Sequence, residues 1–171
     1  MTDRPNVKSP LDHVLRHNTW ANDKLLEFCR ALDPARLDDN APGTYGTLYG
    51  TLQHLVSGEQ WYVQLITGEL IGTEIRRDQR RTLDELASIA ARLGPRALAI
   101  ATSDDPDRAI PVDDEVDRKT HSTVGTVLAQ LVHHGNEHRT QATTILGSHG
   151  IEPPEISAWA YGRAVGISDH D

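Results

Sequence analysis

Four long stretches of this chain repeat their apolar residues at helical spacing, and that periodicity restricts the fold more than any other feature. From Leu11 to Leu32, the residues Leu11, Val14, Leu15, Ala21, Leu25, Phe28, Cys29 and Leu32 stay on one side when wound at about 100° per residue, and the stretch stops before Pro34. Leu48, Leu52, Leu55, Tyr62, Val63 and Ile66 line a second helix that ends near Gly68. Thr82 and Glu85 form a capping box ahead of Leu83, Leu86, Ala90, Leu93, Ala97 and Ile100, and Gly94-Pro95 inside this third stretch predicts a kink or a break. The fourth begins at Ser122 or Thr123, turns Val124, Val127, Leu128, Leu131, Ala142 and Ile145 inward, and ends at Gly147 or Gly150. Its roughly 25 residues would reach about 38 Å.

The remaining segments lack that period. "SDDPDRAIPVDDEVDRKTHS" reads as a long connection with a short hairpin around Ile110 to Val116, and "IEPPEISAWAYGR" as an extended tail anchored by Trp159 and Tyr161. At 171 residues the chain is long enough for one domain, 1–171, and too short for two ordinary ones. With 37% hydrophobic residues and a single Phe, its core must come from Leu, Ile, Val and Ala, which suits an all-α class.

Net charge is -8, and the basic residues are scattered apart from "RRDQRR" at Arg76 to Arg81, which reads as a solvated loop face rather than a phosphate site. Nucleic acid is not an expected partner. Cys29 is the only cysteine, the start "MTDRPNVKSP" lacks an apolar signal core, and no run approaches the roughly 18 apolar residues of a membrane span. A cytoplasmic protein with no membrane association is expected.

Polar residues intrude on the apolar stripes. Asn18 and Asn22 fall four apart within the first, and Glu59 interrupts the centre of the second, with His54 at its flank beside Trp61 and Leu65. Trp20 points outward, towards a covering segment or a second subunit. In "QLVHHGNEHRTQA", His134 and His138 lie inside the arc set by Val127, Leu131 and Ile145, while His133 points away. Buried imidazoles cost free energy unless partnered, and residues at i and i+4 can converge on one divalent ion. His13 and His17 share the spacing, but His13 faces solvent and His17 only flanks its stripe, so that pair reads as structural. A metal site needs a third ligand, and the second helix offers two. Glu59 is better centred than His54; a carboxylate would partly neutralise the ion, whereas three imidazoles would leave its full charge. Periodicity leaves both open.

"NTWAN" in the first helix, "GTLQHLVSGEQWY" in the second, "HHGNEHRTQ" in the last and the closing "PPEISAWAYG" resemble the DinB/YfiT family of small metalloenzymes, from about Leu11 to Tyr161. The resemblance implies a four-helix bundle with long connections and a metal near one end of an inner cavity. Carried over, the family's three histidine ligands fall on His54, His134 and His138, which moves Glu59 to a supporting role behind the ligands. One departure is that Glu137 precedes His138, and Thr140 stands where the family motif often has Gly. Glu137 is then a solvated helix carboxylate, or a proton acceptor or orienting group. "HGNEH" also satisfies the inverted zincin motif H-x-x-E-H. That reading lacks its scaffold, because only 33 residues follow His138 and no helical carboxylate lies among them.

An open three-histidine site can lower the pKa of bound water for hydrolysis or activate a thiolate for transfer. Relatives within the family include thiol-dependent transferases and isomerases, so the resemblance implies a thiol-dependent S-transferase or related detoxification activity on a small-molecule substrate, with a low-molecular-weight thiol. A metal-dependent hydrolase and a non-catalytic metal-binding stress protein are the alternatives, and a plain helical interaction module without metal is the contrast. Zinc is the default ion, with nickel, iron, copper or manganese also suited. The resemblance and the outward Trp20 further suggest a homodimer. Asn18 and Asn22 are candidates to line the cavity, Trp61 to wall it, and Arg139 with Gln141 to bind an anion or to hold the last helix; for each, packing is the first reading.

Overall fold

The computed structural model describes residues 9–113 and 119–168. Helix α1 is Pro10–Arg30, α2 is Leu48–Thr67, α3 is Leu83–Ser103, α4 is Val124–Ser148 and α5 is Ala158–Ala164. The strands β1, Ala109–Asp113, and β2, Lys119–Thr123, form an antiparallel hairpin with Ala109 opposite Thr123. The fold is all-α, and the hairpin joins α3 to α4; Val116, the expected far end of the hairpin, lies outside the described residues.

Each helix starts where a side chain can serve its free N–H groups. The hydroxyls of Ser9, Thr47, Thr123 and Ser157 accept from Asp12, Gly50, Thr126 and Ala160, and Thr82 with Glu85 completes the expected capping box. Gly68, at φ 72°, ends α2 in the left-handed conformation. α1 packs on α3 and α4, and α2 on α4 and α3, around a core that includes Leu25, Leu52, Val56, Leu86, Leu93, Leu131 and Ile145. Among the described residues no helix is long and apolar enough to cross a membrane.

Three local expectations change. Leu11 and Val14 are 42% and 41% exposed, because the buried face of the first turns of α1 is the one that carries Asp12 and Leu15, and Leu26 is fully buried further along. α3 runs unbroken through Pro95. The missing hydrogen bond and ring clash cost roughly 3 kcal/mol, but Leu86, Ile89 and Leu93 before the proline and Ala97 and Ile100 after it bury into one core, and tertiary packing prevails. The tail is without regular structure only to Ile156; α5 follows, too short at seven residues for periodicity to reveal. Within it Tyr161 is the anchor, whereas Trp159 is 75% exposed. Tyr161 lies 5.8 Å from the ring of Trp20, so α5 is a segment covering that tryptophan.

Candidate metal centre

The histidines meet in the seam between α2 and α4. His54 stands in the second turn of α2 and is half-buried; His134 and His138, one turn apart on α4, are buried. One ring nitrogen from each lies within 4.8 Å of the others. Nε2 of His54 and Nε2 of His134 are 3.3 Å apart. That separation suits two nitrogens sharing a tetrahedral ion at about 2.0–2.1 Å, which would stand about 3.3–3.4 Å from one another. The three-histidine group could hold a metal ion.

Backbone and neighbours shape the cluster. A Cβ on Gly58 would lie 2.6 Å from Nε2 of His134, so the ring enters only because α2 carries glycine there, at a helix cost of roughly 0.5–1 kcal/mol. Oε1 of Gln141 accepts the Tyr45 N–H at 3.2 Å, which sets the amide's orientation, and stands 2.9 Å from Nδ1 of His138. An amide oxygen only accepts, so Nδ1 carries the proton and the Nε2 lone pair is left free. Tyr45 stacks on His54 at 4.0 Å and 7° and meets His138 edge-on at 5.5 Å. Tyr62 meets His134 edge-on at 5.5 Å.

Electrostatics favours neutral rings at His134 and His54. Burial, reinforced by the charges of His138, His54 and His133, pushes His134 down to about 3. Burial, then His138 and Arg77, lowers His54, while exposed Glu137 opposes the shift. Neutral imidazoles are what a metal ion requires. Nδ1 of His134 is buried without a hydrogen-bond partner.

Glu59 sits elsewhere. Its Oε1 accepts from Nδ2 of Asn18 at 2.7 Å and of Asn22 at 2.6 Å, and Nη1 of Arg139 donates to Oδ1 of both amides at 2.7 Å. All four side chains are buried. Burial raises the Glu59 carboxyl against the pull of the two amides, and brings Arg139 down to about 10. These residues tie α1, α2 and α4 together. Gly135 makes room for them: a Cβ there would be 2.5 Å from Oδ1 of Asn18.

The other named residues separate. Trp61 is 49% exposed, and its ring contact among the described residues is with Tyr62; it stands two turns, about 10 Å, along α2 from His54. Nε2 of His17 is 2.8 Å from the Ile156 carbonyl oxygen, which gives that histidine a structural partner in the tail. Among the described residues His54, His134 and His138 are the one group of three or more ligating side chains. Sequence reading missed Tyr45, which lies in an aperiodic loop, and Gly58, whose position inside an apolar helix was a usable sign of close approach.

A cleft of about 470 Å³ opens beside the cluster, lined by Tyr45, Tyr49, Gln53, His54, Ser57, Ile75, Arg76 and Arg77 among others. A second cavity of about 520 Å³, between α1, α3 and α5, contains Trp20, Pro95 and Tyr161 and none of the imidazoles.

The DinB family profile matches residues 2–165. A crystal structure of a DinB-like protein from Bacillus cereus ATCC 10987 at 2.01 Å resolution aligns with a TM-score of 0.65 and 19% identity, covering 92% of this chain and 100% of that one. At that identity the likeness establishes the fold. No curated protein matches the chain.

Proposed function

This chain belongs to the DinB family, and from that membership we propose that it is a thiol-dependent S-transferase, or a related detoxification enzyme, with His54, His134 and His138 holding a divalent ion. The observation that carries the reading is a set of three imidazole nitrogens within 4.8 Å of one another, bordered by a cleft that reaches His54. Zinc is the default ion because three imidazoles with a further position open are a common catalytic zinc set, and nickel, iron, copper or manganese would also fit the donors. A bound divalent ion supplies Lewis acidity that favours a thiolate over a thiol.

The chain's own groups define what must come from outside. Cys29 is the only cysteine; it is buried, and burial pushes its thiol up to about 12. It stays protonated and out of reach, so the nucleophile is a small thiol. In the transfer, the thiol sulfur forms a bond to an electrophilic carbon, the bond from that carbon to its leaving group breaks, and the thiol proton passes to solvent. Gln141 holds the His138 ring, Tyr45 packs against His54 and His138, and the Glu59 network keeps α1, α2 and α4 in register.

The test combines metal-loaded protein with model electrophiles and several cellular thiols. Thiol-dependent product formation that falls at least about a hundredfold in His138→Ala supports the transferase. Equal rates in both forms, with metal bound only by the wild type, would assign the cluster to metal binding without turnover.

A further inference from the structure

The run Arg76 to Arg81 is held in place by α2. Buried Gln60 accepts the Ile75 N–H at 2.9 Å and donates to the carbonyls of Ile71 and Thr73 at 2.8 and 3.0 Å. Gln53 donates to the Arg76 carbonyl at 3.3 Å and accepts the Arg81 N–H at 3.0 Å, and the Tyr49 hydroxyl lies between Gln53 and the Arg81 backbone. The loop is therefore pinned along the cleft that reaches His54. Arg76, Arg77 and Arg80 are exposed, as expected of a solvated basic face, but the backbone that carries them is held by buried amides.

Its four arginines are not equivalent. Arg76 pairs with Asp78 at 3.1 Å; Arg80 pairs with Asp38 at 3.5 Å and covers the Tyr49 ring at 3.9 Å; Arg81 pairs with Glu85 at 3.5 Å and donates to the Glu74 carbonyl. Arg77 has no hydrogen bond or ion pair to another described residue, and it lines the cleft. Its charge is also felt at His54. An exposed guanidinium with no hydrogen-bond or ion-pair partner among the described residues, carried on a held loop at a cleft about 470 Å³ in volume, matches a small anionic ligand whose other end reaches His54.

We propose that the cleft lined by Tyr49, Gln53, His54 and Arg77 is the substrate cleft, and that Arg77 selects a small thiol bearing a carboxylate. Arg77 holds the anionic end, and Tyr49 and Gln53 keep it there by fixing the loop. This rests on the thiol-dependent reading for its sulfur end and on Arg77 alone for its anionic end, so the two ends can be tested apart.

The experiment titrates cobalt-loaded wild type, Arg77→Gln and Arg77→Lys with 3-mercaptopropionate and with its uncharged amide, following the sulfur-to-cobalt absorption band. In parallel, saturation-transfer NMR follows propionate on the metal-free proteins. A wild-type preference of at least about fivefold for the carboxylate, falling below about twofold in Arg77→Gln and partly kept in Arg77→Lys, supports the proposal. Equal affinity for the two thiols in all three proteins overturns the anion subsite and leaves the thiol reading standing. If no thiol produces the band while propionate binds wild type and not Arg77→Gln, the thiol reading fails and the anion subsite stands. With neither band nor propionate signal, both are overturned.

Discussion

Two groups of polar side chains interrupt the bundle's apolar core, Asn18, Asn22, Glu59 and Arg139 in one and His54, His134 and His138 in the other. In the first, each amide donates to the carboxyl group and accepts from the guanidinium, so Glu59 and Arg139 are bridged inside the core. In the second, two imidazoles turn Nε2 towards Nε2 at 3.3 Å, and His134 keeps a buried nitrogen without a partner. Both stand on residues of α2 and α4, and both required a glycine on the facing or same helix to make space. What differs is closure. A polar network bonded from within stabilises one arrangement of helices, while converging imidazoles that leave a buried nitrogen without a partner could hold something added to them.

The contrast breaks first at the histidines. His134→Ala should take metal content from near one equivalent to below about a tenth, measured by elemental analysis of protein purified without chelator or nickel resin. A wild type equally free of metal would make the cluster a second structural inclusion and erase the distinction. Next in size is Arg139→Met, which leaves Glu59 without its counter-charge; a loss of about 3–5 kcal/mol in urea unfolding is expected, with one ion still bound per folded chain. Should Arg139→Met unfold no more easily than the wild type, the network would not be the structural half of the pair.

A smaller effect sharpens the link between the cluster and its support. Gln141→Leu removes the acceptor at Nδ1 of His138 and should weaken metal affinity about 10–100-fold in competition with a chelator. An unchanged affinity would mean that the His138 ring is held by packing alone. The last prediction is the absence of an effect. Cys29 should resist iodoacetamide in the native protein at pH 8, because its thiol is buried and its pKa is pushed up to about 12, and should react once urea unfolds the chain. Rapid native alkylation would reopen an internal nucleophile.

Much of the fold was legible because helix signals are local. Thr82 with Glu85, Thr123 at the start of α4 and Gly68 at the end of α2 act within one turn of themselves, so the residues predicted the boundaries closely. Pro95 does not break α3 for the opposite reason: its local cost is real, and core contacts on both sides of it outweigh that cost. The site was half legible. His134 and His138 lay in the stripe of one helix, where spacing alone brings them together, but Tyr45 sits in a loop with no period to place it.

By itself the sequence determined which face of each helix turns inward, because apolar spacing records angular position about a helix axis. It also placed two imidazoles and a carboxylate on those faces. Which of them meet was decided by the tertiary structure: Glu59, the better centred candidate, points to Asn18 and Asn22 on α1, and His54, at the flank, faces His134 across α2 and α4. Periodicity carries no information on which neighbouring helix lies opposite a residue or at what height, and those two quantities settle the partner of every buried polar group.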